Sequence, residues 1–440
     1  MKRGKDWMDP QKRKIYLQFL YTISISSFLM LSAVVYHSWW NRVPEHIRIH
    51  KSAVQSMEFH VPASGRIYPA EKKEGEVKAV LETQNVVAAK NSVFLDGPVT
   101  FVSGENMAQY VMELKLFGVL PFKNVDIQVI EEEAVVPAGL PVGIYVKTHG
   151  VLVLGTGEFA GMSGQSEKPS EGILRSGDYI LKADGEEVTG KQEFMDAVSN
   201  SNGQEMILTV KRGEEVFDVK VEPELTRNGE YKIGVWIREN AQGVGTLTYL
   251  QNDGSFGALG HGINDIDTST LMDVESGSLY ETEIVGIRKG ENGSPGELTG
   301  IIDYSPKRKL GSIDCNTVQG IFGMGSEELT RAAGETPVEI GLKQEIEEGE
   351  AEIICSVTGK PEHYRVEIEE VHLDKEDVNR GIVLRITDEK LLGLTGGIVQ
   401  GMSGSPILQN GRIVGAVTHV FVNDPTKGYG IFIENMLEHN

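Results

Sequence analysis

The chain has 440 residues and a formal charge of −22 at pH 7, enough length for two or three domains with cores of their own. That charge excludes nucleic acid as the partner, because phosphates demand a basic face, and no basic stripe with interleaved aromatics appears. With 51 glycines and few helix-period patterns the chain reads as mainly β. Its two cysteines, Cys315 and Cys355, lack CxxC spacing, so no metal is expected, and one disulfide or two unpaired thiols both stay open.

Lys2, Arg3, Lys5, Lys12, Arg13 and Lys14 precede an apolar run from Ile15 to Tyr36. The run has the length of a bilayer-spanning helix and exceeds the core of a signal peptide. Positive flanks stay in the cytoplasm, so residues 1–14 are read as a cytoplasmic segment, 15–36 as an uncleaved single-pass anchor, with a signal cleaved near Ser32-Ala33 as the alternative, and the rest as exported. Trp39-Trp40 fits an interfacial aromatic anchor or plain packing. Residues 37–125 read as a small β-rich region with strands at Val86–Ala89 and Val99–Val102. His46 and His50, four apart, would share a helix face, but no third ligand accompanies them.

From residue 126 the pattern sharpens. Pro141–Val146 and Gly150–Leu154 read as two strands. The stretch Ser170 to Gly185, SEGILRSGDYILKADG, resembles bacterial PDZ domains. Gly177-Asp178 would turn into a strand, Asp184-Gly185 would make a hairpin, Gly190–Asn200 a helix, and Met206–Glu222 the closing strands. That resemblance implies a PDZ-like α+β domain over 126–225 that takes a peptide as an added strand, its carboxylate held by the loop Leu140, Pro141, Val142, Gly143 and Ile144. A domain used only for packing is the alternative. Inside this region Gly161-Met162-Ser163-Gly164 is followed by the polar run Gln165–Pro169 and reads as a flexible loop.

Residues 230–440 read as a β-rich domain centred on Gly401-Met402-Ser403-Gly404-Ser405-Pro406. Strands at Ile407-Leu408 and Arg412–Val417, joined at Asn410-Gly411, follow as a hairpin. A hairpin there suits a trypsin-like β-barrel. An α/β-hydrolase elbow would need a helix, and glycine at position 405. A nucleophilic serine needs a base, and His261, set between Gly260 and Gly262, is the candidate. His419 lies on the strand after the hairpin and reads as a packed or edge residue. Asp388, fifteen residues before Ser403, is the candidate carboxylate, giving the His, Asp, Ser order of chymotrypsin-like enzymes. Oxyanion-hole donors are expected at the backbone N–H groups of Gly401 and Ser403. Gly290–Gly300 lacks the Lys and Ser/Thr of a P-loop and reads as a hairpin connection.

The segments Gly243–Tyr249, Ala258–Ile263, Asp265–Thr268 and Gly401–Pro406 together resemble the SpoIVB peptidases, the stage IV sporulation serine peptidases of endospore-forming bacteria. The resemblance places the triad on His261, Asp388 and Ser403; the aspartate rests on position, so Asp265, Asp267 and Asp303 stay open as substitutes. It implies a trypsin-like double β-barrel and a serine endopeptidase without cofactor. The membrane-tethered or secreted enzyme would cut itself and a membrane-bound inhibitor of an intramembrane metalloprotease, which then activates sigma factor K. Its place would be the forespore inner membrane, with the ectodomain in the intermembrane space. A non-catalytic PDZ scaffold and an HtrA-like quality-control protease are the alternatives, the latter disfavoured because its PDZ domains follow the protease.

Overall fold

The structure, a computed structural model, describes residues 10–52, 54–70, 82–83, 92–102, 109–334, 336–373 and 377–439. Lys2, Arg3 and Lys5 of the basic flank and the expected strand Val86–Ala89 lie outside these residues. The chain divides into two compact units, one built on Met1–Glu132 and one on Glu133–Val371 with Lys375–Asn440.

The first unit opens with α1, Pro10–Arg42. Its 33 residues extend about 50 Å at the helical rise, and Arg13–Arg42 is long and apolar enough to cross a membrane. A small β-domain follows, with the five-stranded order His46–His50, Leu120–Ile130, Gln109–Leu116, Ala63–Pro69, Ser92–Phe94. Alternation along Gln109–Leu116 turns Tyr110, Met112, Leu114 and Leu116 inward, as period 2 requires. His46 and His50 therefore sit on a strand, not a helix. Trp39 and Trp40 pack against this core. Trp40 meets Phe122 edge-on at 5.6 Å, with the Lys123 ammonium 4.9 Å from its ring centroid.

In the second unit β1 (Ala134–Thr156) is one 23-residue strand where the sequence suggested two. Gly150 lets it bend without breaking: its φ is +73°, and a Cβ there would lie 2.3 Å from the Ile180 carbonyl. Thr148 secures the bend by donating its hydroxyl to the carbonyls of Gly150 and Glu239. After the bend β1 enters a PDZ-like sheet with β2 (Tyr179–Ala183), β3 (Met206–Arg212) and β4 (Glu215–Val221). Across that sheet packs α2 (Lys191–Asn200), burying Phe194 and Val198.

The next strand, β5 (Val235–Leu250), pairs along nearly all of β1. The first half of β1 and most of β5 form a closed six-stranded barrel with β6 (Ser255–Ala258), β7 (Val274–Arg288), β8 (Lys309–Thr317) and β9 (Gly320–Gly325); the β1–β7 pairing closes it. The PDZ-like domain is thus inserted between two strands of the barrel, and the boundary expected near residues 225–230 does not separate them. Both β1 and β5 serve both domains. A second closed barrel runs β10 (Gly349–Cys355), β11 (Glu362–Val371), β12 (Ile382–Ile386), β15 (Asp424–Phe432), β14 (Arg412–Phe421) and β13 (Pro406–Gln409). The helix α3 (Glu389–Thr395) sits between β12 and β13. Cys315 and Cys355 are both free thiols.

Candidate active site

Two loops meet in a cleft of about 460 Å³. One follows β6 and carries His261. Asn316 holds it from below, its side chain accepting from the Ile263 N–H at 2.8 Å and donating to the Ile263 carbonyl at 3.0 Å. Buried Asp265 accepts from the N–H groups of Asp267 and Thr268 and pairs with Arg238, whose second nitrogen reaches Asp267 at 2.6 Å. Burial alone would raise the Asp265 pKa; the Thr268 and Arg238 hydrogen bonds outweigh it and leave it lowered.

His261 Nδ1 lies 2.9 Å from the carbonyl of Gly262. A carbonyl only accepts, so Nδ1 carries the proton in this bond and Nε2 keeps its lone pair. Burial lowers the basicity of the ring, against a smaller opposing effect of the Gly262 carbonyl, so the imidazole is neutral near pH 7.

The other loop carries Ser403. Gly404 holds φ +95° there, and a Cβ would stand 2.2 Å from the Thr246 carbonyl, so the loop closes onto β5 only with glycine. From β5, Thr246 grips it twice: its N–H donates to the Ser403 carbonyl at 3.1 Å and its hydroxyl to the Gly401 carbonyl at 2.7 Å. The Met402 side chain is fully buried. Within the loop the N–H groups of Met402, Gly404 and Ser405 are taken by the carbonyls of Val399, Val417 and Met402. Those of Gly401 and Ser403 meet no acceptor among the described residues, so both remain free to donate to an oxyanion. The Ser403 hydroxyl itself donates to the Thr418 carbonyl at 2.7 Å.

His261, Ser403 and Gly401 therefore line one cleft, but Asp388 does not. Its carboxylate caps α3, accepting from the N–H groups of Lys390 and Leu391, and lies 3.8 Å from Arg365. Helix α3 leads straight into the loop that holds Ser403, so Asp388 touches the site through the chain it caps. The substitutes fare no better: Asp265 and Asp267 are bound to Arg238, and Asp303 accepts from Ser305 and lies 3.8 Å from Arg308. No carboxylate lines the cleft among the described residues.

A second imidazole does. His419 stacks on His261 with ring centroids 4.8 Å apart and planes tilted by 34°. His419 keeps exposed surface, while desolvation where it packs, then His261 and Arg380, push its pKa down to about 4. Sequence reading passed over it as a packed residue, yet a signal existed: a hairpin beginning just after Ser403 must bring its second strand back past the serine.

The expected carboxylate loop, Leu140–Ile144, is corrected. Those residues lie mid-strand in β1, all paired with β5 and Val142–Ile144 with β7 as well, Ile144 opposite Gly243 of β5 and Leu279 of β7. A strand hydrogen-bonded on both sides has no edge to offer a peptide. Ile144 instead lines the cleft. Ser163 is exposed and accepts from the Gln165 N–H.

A family model described as SpoIVB peptidase S55 matches residues 229–437. Among solved structures the chain is similar to the PDZ domain of an SdrC-like protein from Listeria monocytogenes (22% identity, 21% of this chain and 90% of that one, TM-score 0.18). It is also similar to a protease from M. tuberculosis in its active form (14% identity, 45% of this chain and 74% of that one, TM-score 0.25). A third likeness is to the HtrA-type protease AlgW with a decapeptide (10% identity, 69% of this chain and 64% of that one, TM-score 0.26). No curated protein matches the chain.

Proposed function

The chain belongs, through residues 229–437, to the SpoIVB peptidase S55 family of serine proteases, and on that premise we propose that Ser403 and His261 carry out peptide-bond hydrolysis in the cleft. Ser403 turns its hydroxyl from the Thr418 carbonyl to His261 Nε2 as substrate enters; hydrogen bonds of this kind tighten in the substrate complex. His261 takes the proton, Ser403 attacks the carbonyl carbon, and the oxyanion that forms is met by the N–H groups of Gly401 and Ser403. His261 then returns the proton to the leaving amine, and water, deprotonated by the same imidazole, attacks the Ser403 ester so that the acid product leaves and the Ser403 hydroxyl is restored. The Gly262 carbonyl holds the ring in the required tautomer, the orienting task that a carboxylate performs elsewhere. Asp388 contributes as the cap of α3.

The observation that carries this reading is that a histidine held through Nδ1, a serine and two N–H groups without an acceptor line one cleft. The finer biology is proposed from the family alone: self-cleavage, then cleavage of a membrane-bound inhibitor of an intramembrane metalloprotease, leading to sigma factor K activation in sporulation. The proposed location is the forespore inner membrane, with the N-terminus cytoplasmic and the catalytic unit in the intermembrane space. Incubating purified full-length chain in detergent tests the core claim. Shortened species accumulate with the unaltered chain and not with Ser403→Ala; equal shortening of both would overturn it.

A further inference from the structure

The first unit leaves an apolar hairpin tip uncovered beside the end of α1. Strands Gln109–Leu116 and Leu120–Ile130 pair antiparallel as far as Leu116 opposite Leu120, and Phe117, Gly118 and Val119 close the hairpin. The Val119 N–H donates to the Leu116 carbonyl at 3.1 Å, with φ +52° at Phe117 and +75° at Gly118. Two central residues of positive φ make a type I′ turn, whose first position favours Asn, Asp or Gly. A bulky side chain is strained there. It is not held there by burial: Phe117 is 63% exposed, Val119 73% and Leu120 57%. From Phe117 to Pro121 the tip is a run of exposed residues without a charge. An aromatic ring kept at an unfavourable turn position and left facing outward points to something beyond the chain.

What lies there is set by α1. Trp39 meets the Phe117 ring edge-on, with centroids 5.9 Å apart. The same hairpin is held further along, where Phe122 lies edge-on to Tyr36 at 5.7 Å and to Trp40 at 5.6 Å. Buried Lys123 donates to the carbonyls of Trp40 and Val43, a cation closing the C-terminal end of the helix. The hairpin is therefore fixed to the last turns of α1. Trp39 stands three residues past Tyr36, where the apolar run ends, about 4.5 Å at the helical rise. With Arg13–Arg42 crossing a bilayer, that is the depth of the headgroup region, where aromatic side chains concentrate. Read back from Lys123 at Val43 to Phe122 at Tyr36, the strand runs toward the apolar part of the helix, and its tip lies beyond. Arg42 and Lys115 are exposed at this end, cations suited to anionic headgroups in a chain of net charge −22.

We propose that the tip formed by Phe117, Val119 and Leu120 is seated in the bilayer interface beside α1, a second contact with lipid that holds the small β-domain down on the membrane. Lipid is the occupant because the spanning helix itself carries the tip to that depth. The proposal rests on α1 as the span and does not depend on the catalytic reading.

The test uses the full-length chain reconstituted in vesicles of phosphatidylcholine and phosphatidylglycerol. An environment-sensitive fluorophore is attached at Val119→Cys and, as the control, at Gln128→Cys. Gln128 is exposed on the same strand, eight residues past Leu120 and about 26 Å along it. The chain without an added cysteine gives the background from Cys315 and Cys355. Nitroxide-bearing lipid quenches the dye at Val119→Cys about threefold or more over that at Gln128→Cys, and aqueous iodide does the reverse. Adding Phe117→Asn separates this from a packing role. Asn suits the turn, so the thermal midpoint in detergent holds or rises, while lipid quenching at Val119→Cys falls about twofold or more.

Equal quenching at the two positions overturns the proposal. So does a dye at Val119→Cys that is shielded from iodide yet untouched by nitroxide lipid, which marks a protein partner, a second copy of the chain included. A lowered midpoint in Phe117→Asn with unchanged quenching reduces Phe117 to packing on Trp39. A chain stripped from the vesicles by alkaline carbonate has no span and overturns the proposal at its premise, while organophosphonate labelling of Ser403 decides the catalytic reading separately.

Discussion

Gly161-Met162-Ser163-Gly164 and Gly401-Met402-Ser403-Gly404 are the same four residues in two environments. In the first, Met162 is 65% exposed and Ser163 lies on the surface; in the second Met402 is wholly buried and pins the loop below the cleft. Both final glycines hold positive φ, +85° at Gly164 and +95° at Gly404. A Cβ at Gly164 would meet only the movable guanidinium of Arg227, whereas at Gly404 it would meet backbone, the Thr246 carbonyl. Identical local conformational freedom thus yields a surface turn in one place and a cleft-lining loop in the other. What differs is the strand that grips the second copy and the imidazole across from it.

The largest expected effect separates the two serines. Ser403→Ala should lower proteolysis by about 10⁴-fold or more, with Ser163→Ala unchanged, measured as cleavage of a denatured protein substrate. Equal losses would erase the distinction. The two glycines should separate next. Gly404→Ala forces a clash with backbone and should cost several kcal/mol, about the scale of overpacking plus backbone strain. Gly164→Ala meets only a movable side chain and should cost about 1–2 kcal/mol, the left-handed backbone penalty alone. Urea unfolding midpoints distinguish them.

Asp388 offers a sharper version of the same question, because cap and triad member respond differently. As the cap of α3, Asp388→Asn should keep activity within about twofold, since Asn caps as well as Asp, while Asp388→Ala should lose about 0.5–2 kcal/mol of stability. As a triad carboxylate, Asp388→Asn would instead lower kcat by about 10⁴-fold.

The smallest effect is in pH dependence. A histidine whose pKa is lowered by burial stays a neutral base below its ordinary value, so the acid limb of kcat/KM should fall at a pH under about 6.5. Protonating it opposes burial, so any stability tied to the neutral ring is lost as pH falls below that value. An acid limb above pH 7 would contradict the buried geometry.

Much of the fold was legible because it is written locally. The hairpin at Asn410-Gly411, the helix Lys191–Asn200 and the strands from Met206 to Val221 follow from turn chemistry and periodicity, and they form as read. That Ser403 and His261 line one cleft was expected for the same reason, as unusual residues in glycine-rich turns. What failed was non-local. That β1 bends at Gly150 and continues, rather than ending, depends on pairing with β5 nearly a hundred residues later. That pairing makes Leu140–Ile144 part of a strand where a carboxylate-holding loop was expected, and leaves one edge of Val235–Arg238 without a strand partner among the described residues. The role of Asp388 was obscured because an aspartate before a helix and an aspartate before a catalytic serine look alike in sequence. His419 was hidden because strand alternation does not reveal which residue a second barrel will present.

The most direct measurement is to identify, by mass spectrometry of the digested full-length chain, the residue modified by an organophosphonate. The account predicts adduct on the peptide containing Ser403 alone, lost in His261→Ala and retained in Ser163→Ala. Adduct on Ser163, or labelling of Ser403 that persists undiminished without the His261 imidazole, would contradict it.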